Sequence, residues 1–140
     1  MGKARSPKVI SKTPSVTVLD AGALIAFERG NGRMRALFEE ARATEDRLVI
    51  PAGVLAQVWR DPARQVALGG LVKAKSTTVV PLDQALAEAA GLLCGRRKTA
   101  DVIDASVVLV ARREGSTAVV ITSDTDDLRH LDASLELHQV

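Results

Sequence analysis

Three aspartates occupy matching places in stretches that are far apart along the chain. Asp20 ends the run Val16-Thr17-Val18-Leu19, and Asp124 stands just past Ala118-Val119-Val120-Ile121, after Thr122 and Ser123. Asp104 opens a segment that carries Ala105, Val107, Val108 and Ala111 behind it. Carboxylate oxygens are the preferred ligands of hard divalent cations, and several anions brought close together are costly unless a positive charge offsets them. Mg²⁺ or Mn²⁺ is the ion such a donor set would take. No cluster of His or Cys competes: His130 and His138 fit no ligand spacing, and Cys94 is alone. Zinc chemistry is disfavoured.

These acids can meet only if the elements beneath them converge. Val16 to Leu19 is apolar or β-branched throughout, as in a short strand buried on both faces of a parallel sheet. Ala118 to Ile121 reads the same way. Ligands of open α/β sheets collect outside the carboxyl ends of the strands. If the two strands are parallel neighbours, Asp20 and Asp124 leave the sheet at one edge. The helix opened by Asp104 precedes the later strand, runs antiparallel to it, and so begins at that edge too.

The remaining chain alternates strand and helix. Strands are expected over 48–50, 77–80 and 117–121, with an edge strand over 135–140. Helices are expected over 21–29, 33–43, 52–60, 62–75, 84–94 and 101–114, with Gly95 to Lys98 as a basic loop. Ser123 to Leu131 reads as a loop with a short helix. Asp83 suits an N-cap. Alternation of this kind gives an α/β fold with a mainly parallel central sheet and helices on both faces, α/β/α in layers.

Composition narrows the function classes. The 140 residues are 46% hydrophobic, yet only Phe27, Phe38 and Trp59 are aromatic. The core is therefore aliphatic, and the aromatic platforms of single-strand-binding proteins are missing. Net charge is +2; the first fourteen residues hold Lys3, Arg5, Lys8 and Lys12 and no acid, so the remainder stands at −2. Residues 1–14 read as a disordered basic tail, either a solvated leader or an arm that touches RNA, and 15–140 as one domain. One cysteine, no membrane-length apolar run and no signal-peptide core point to a cytoplasmic protein without a membrane partner.

With Asp20, Asp104 and Asp124 identified, the chain resembles the PIN-domain family of metal-dependent nucleases, in particular its bacterial VapC-type toxin branch. The segments VLDAGALIAF (18–27), DASVVLVARREG (104–115) and VVITSDTDDLRHL (119–131) carry the resemblance, which spans about residues 16–140. It implies a three-layer PIN-like fold with strand order 3-2-1-4-5. It further implies Mg²⁺- or Mn²⁺-dependent RNA cleavage, a homodimer and a cognate antitoxin. The apolar content of 33–43 and 62–74 also suits a dimer. Asp20, Asp104 and Asp124 would hold the metal and do the catalysis.

Around them stand candidates for an outer shell, each with a structural alternative. Asp101 is either an N-cap or a ligand partner; Asp126 and Asp127 either cap the Leu128 helix or hold a water. Thr122 and Ser123 either orient a carboxylate or shape a turn. Gln57 occupies the place where the family usually has Glu, and it brings a carbonyl oxygen without charge. Phosphate contacts would come from Arg29, Arg33, Arg96, Arg97 and Lys98, unless these are solvated surface. The leading reading is an RNA-cleaving nuclease; the rival is a catalytically weak module that binds RNA or a partner protein. Phosphoryl transfer through Asp20 is disfavoured, because position 22 is Gly and no Lys follows Lys98.

Overall fold

The computed structural model describes residues 15–140, so the basic segment 1–14 lies outside the described residues. Five strands, β1 (Val16–Leu19), β2 (Arg47–Pro51), β3 (Thr77–Val80), β4 (Val119–Thr122) and β5 (Glu136–Gln139), form one sheet of order β3-β2-β1-β4-β5. All four pairings are parallel, the outermost β4–β5 pair included. The reversal of strand order falls between β1 and β4, where Leu19 is level with Ile121. The Asp20 N–H continues that ladder to the Ile121 carbonyl at 3.2 Å.

Seven helices connect the strands: α1 (Ala21–Glu28), α2 (Gly32–Ala43), α3 (Ala52–Val58), α4 (Val66–Lys73), α5 (Gln84–Arg97), α6 (Val102–Glu114) and α7 (Thr125–Leu131). Right-handed crossovers put α1–α4 on one face and α5–α7 on the other. Val18, Leu19, Val49, Ile50 and Val120 of the sheet are fully buried between Leu24, Val54 and Leu68 on one side and Val107, Val108 and Leu128 on the other. Val107 to Ala111 is buried almost throughout, as its unbroken apolar run demands. No helix among the described residues is long and apolar enough to cross a membrane.

Two expected elements differ. The helix expected over 62–75 begins only at Val66, because the buried Gln65 side chain organises the preceding loop. Its Oε1 accepts the N–H of Arg60 at 2.8 Å and of Asp61 at 2.9 Å, and its Nε2 donates to the Val58 carbonyl at 2.8 Å. The basic run Gly95 to Lys98 is not a loop: α5 continues through Arg97 and ends at Lys98 in the left-handed region. His130 Nε2 donates to the Arg97 carbonyl at 2.7 Å, and Arg97 Nε reaches the Leu131 carbonyl at 3.4 Å. This clasp between α5 and α7 satisfies a helix-end carbonyl and holds the last turn.

Candidate carboxylate site at the sheet edge

Each acid singled out above stands at the start of a helix. Asp20 is the N-cap of α1, accepting the Ala23 N–H at 3.0 Å. Asp101 caps α6 by accepting the Asp104 N–H at 3.0 Å. Asp124 caps α7, accepting the Asp127 N–H at 3.2 Å, so Asp126 and Asp127 do not serve as that cap. Asp104 lies in the first turn of α6 and caps nothing. In every capping contact the oxygen that meets the helix is Oδ1.

Charge ties these residues together. Burial pushes the Asp20 carboxyl above its usual value, against hydrogen bonds from Thr122 and the Ala23 and Gly22 amides, and the Asp124 charge adds to the rise. Asp104 is pushed up to about 7, first by burial, then by the charge of Asp101 and a hydrogen bond with it, and by Asp127 and Asp20. Asp127 is raised by its hydrogen bond with Asp124 and that residue's charge, with Asp101 contributing. Burial, with the charges of Asp101 and Asp104, also pushes up the Cys94 thiol. Among the described residues, no Lys, Arg or His forms an ion pair with any of these acids.

Two close approaches hold the edge together. A Cβ at Gly22 would fall 2.1 Å from Ser123 Oγ and 2.9 Å from Ser123 N, so only glycine lets α1 start against the β4–α7 turn. A Cβ at Gly53 would meet Ile103 Cδ1 at 2.5 Å, which brings the start of α3 beside the start of α6. Thr122, wholly buried, accepts the Asp124 N–H on Oγ1 at 2.8 Å while bonding the Asp20 carboxylate. The close approach at Gly22 is not part of the sequence reading. Its only trace in the sequence is a glycine two residues after Asp20.

The other candidates divide by position. Arg96, Arg97 and Lys98 close α5 a few residues before Asp101 in the chain, and all three are exposed. Arg29 ends α1 at the opposite end from Asp20, a helix length of ~12 Å away, and Arg33 follows on the first turn of α2. Gln57 is exposed in the last turn of α3. Ser123 is exposed and its carbonyl accepts Gln139 Nε2 at 2.9 Å. Four clefts of about 380 to 590 Å³ lie elsewhere, none lined by Asp20, Asp104 or Asp124, so the acids occupy an open edge.

A hard divalent cation suits these donors in kind: they are carboxylate oxygens without ion-pair partners among the described residues. In spacing they do not make a finished cage, since no three His, Cys, Asp or Glu side chains among the described residues could hold an ion as they stand. Mutual repulsion between like charges favours that separation.

The profile of the PIN domain matches residues 17–134. No curated protein matches the chain. Among solved structures, VapBC2 from Rickettsia felis, bound to a DNA fragment from its promoter, superposes with a TM-score of 0.63 at 11% identity, covering 89% of this chain and 98% of that one. DNA-bound VapBC from Salmonella typhimurium gives 0.61 at 16% identity over 89% and 98%. VapBC-1 from nontypeable Haemophilus influenzae gives 0.60 at 15% identity over 89% and 97%. At these identities the likeness is one of fold.

Proposed function

Since the chain belongs to the PIN-domain family, we propose that it is a divalent-metal-dependent endoribonuclease, the toxin of a toxin–antitoxin pair. One observation supports this reading: acids from three separate helix starts stand at one edge of the sheet, and Asp20 and Asp104 are held above the usual carboxylate range first by burial and then by neighbouring acids, with no ion pair to a Lys, Arg or His among the described residues. Asp20, Asp104 and Asp124 would hold Mg²⁺ or Mn²⁺, with Asp101, Asp126, Asp127, Gln57, Thr122 and Ser123 around them. The ion, when bound, acidifies a water and offsets negative charge on the phosphate.

The chain's own residues do the rest. Thr122 and the Gly22 and Ala23 amides fix the Asp20 carboxylate, so its second oxygen has a set direction. Burial and the neighbouring acids push the Asp104 carboxyl up to about 7, and a cation held there would favour its charged form. Arg96, Arg97 and Lys98 supply positive charge for the flanking RNA phosphates, with Arg29 and Arg33 serving more distant ones. An antitoxin partner is supported by the VapBC assemblies whose fold the chain shares. A homodimer acting in the cytoplasm completes the proposal.

A second reading has its own observation. Gln57 is neutral where the family resemblance implies Glu, which suits a module that binds RNA or a partner without turnover. A cleavage assay on mixed RNA with Mn²⁺, run beside Asp20→Asn, separates the two. Metal-stimulated cleavage lost in the variant supports the nuclease; RNA or antitoxin binding without cleavage supports the module. Full cleavage by Asp20→Asn removes the carboxylate site from the mechanism.

A further inference from the structure

A second concentration of charge lies at the opposite edge of the sheet, where β2 and β3 begin, roughly 15 Å from the acids by strand length. A cleft of about 590 Å³ opens there between the end of α2, the start of β2 and the turn that follows α4. Arg42, Arg47, Lys73 and Lys75 reach it from three separate elements. Arg42 sits 5.6 Å over the Phe38 ring and 3.5 Å from Glu39, and Arg47 pairs with Glu114 at 3.1 Å. Lys73 and Lys75 have no ion-pair partner among the described residues. The acids of the lining are the exposed Glu45 and the half-buried Asp46, the latter accepting the Ser15 N–H at 2.8 Å.

Polar groups that want acceptors collect in the same turn. The Ser76 hydroxyl is buried and has no hydrogen-bond partner among the described residues. The N–H groups of Lys75 and Ser76 meet no acceptor among the described residues. A lysine at a helix C-terminus stabilises the helix, which accounts for Lys73 alone. It does not account for Lys75, two adjacent amides without acceptors and a hydroxyl whose rotation breaks no existing bond. Buried polar groups are ordinarily paired, so the Ser76 hydroxyl, with two acceptor-free amides and four cations around it, calls for an acceptor-rich anion.

We propose that this cleft binds the phosphate group of a nucleotide or of an RNA strand, at a site separate from the carboxylate edge. Lys73 and Lys75 supply the point charges, the Lys75–Ser76 amides and the Ser76 hydroxyl supply directed donors, and Arg42 with Phe38 forms a wall.

The test is calorimetric titration of the full chain in chelator, with inorganic phosphate, adenosine monophosphate and a short RNA as separate probes. Chelation removes cleavage from the readout, so the result does not depend on the nuclease reading. At least one probe is expected to bind saturably, and Lys73→Ala/Lys75→Ala should weaken it roughly tenfold or more. Ser76→Ala should weaken it too while leaving the melting temperature unchanged, since the hydroxyl it removes bonds nothing among the described residues. Binding of phosphate and the mononucleotide identifies a free ligand; binding of RNA alone, sensitive to the same variants, identifies the strand. No saturable binding of any probe, or unchanged affinity in the lysine variant, overturns the proposal.

Discussion

Thr122 Oγ1 accepts the backbone N–H of Asp124 at 2.8 Å and its hydroxyl bonds the Asp20 carboxylate, so one buried hydroxyl joins the ends of β1 and β4. Thr122→Val keeps the shape and removes both bonds. The Asp124 amide, only part-buried, then loses its partner, a loss of about 0.5–1.5 kcal/mol. The melting temperature should fall, and the Asp20 carboxyl, deprived of a bond that lowers its pKa, should titrate higher still. Carboxyl-detected NMR titration of both proteins measures this, and Thr122→Ser should restore both properties.

The raised carboxyls give metal-free stability a definite pH slope. Between the ordinary value of 3.8 and about 7, folded Asp104 holds a proton that the unfolded chain has lost, and Asp20 shifts the same way. Stability therefore falls as pH rises through that window. Asp132 has the opposite sign: burial raises it, but its bonds from Ser134 and Arg112 prevail, so its contribution is lost only in acid, below the ordinary carboxylate value. In chelator, thermal melts at about pH 5.5 should lie above those at about pH 8. Asp104→Asn should flatten the difference; an unchanged slope in that variant assigns it to other groups.

The parallel sheet and its reversal at Asp20 were legible because short aliphatic strands and polar helix starts repeat in order. The convergence of Asp20, Asp104 and Asp124 followed from the same regularity, since a helix returning to a parallel strand must begin at the strand's carboxyl end. Gln65 was not legible: glutamine carries no turn signal, and its loop-stapling role comes from three backbone groups that tertiary packing brings to one amide. The basic stretch at 95–98 looked like a loop because Gly95 weakens a helix, whereas the clasp of His130 on Arg97 is a contact from 33 residues away. The distance of Arg29 from Asp20 was misjudged because a strand end and a helix end adjacent in sequence are separated in space by the length of α1.

Gly22 and Gly53 look alike in sequence and should respond differently to alanine. At Gly22 the new methyl meets Ser123 Oγ, Cβ and backbone N within 2.9 Å, so the β4–α7 turn must shift as a unit. At Gly53 it meets the flexible end of Ile103. Overpacking of the first kind costs typically about 1–3 kcal/mol, and the second should fall well below that. Thermal melts rank the two variants. Because Gly22 sits between Asp20 and the Asp124 turn, Gly22→Ala should also weaken Mn²⁺ binding, whereas Gly53→Ala should not.

Gln57→Glu tests how complete the donor set is. Position 57 lies in the last turn of α3, whose start is fixed against α6 by the Gly53–Ile103 approach, and under the proposed donor set a carboxylate there would add to the acidic edge. Gln57 is exposed, which keeps the folding penalty of the substitution small, and the added charge raises repulsion among carboxylates that already lack protein counter-ions. Two opposite changes should follow. In chelator the variant should melt lower than the native chain, and most visibly above the Asp104 titration near pH 7. With Mn²⁺ present it should gain affinity by about 10- to 100-fold, the range over which altered partners tune metal sites, and its melting temperature should overtake the native one. Calorimetry and melts in parallel decide the matter. A variant that loses stability in chelator without gaining Mn²⁺ affinity would place the ion out of reach of α3, and the neutral Gln57 would then be no handicap to the site.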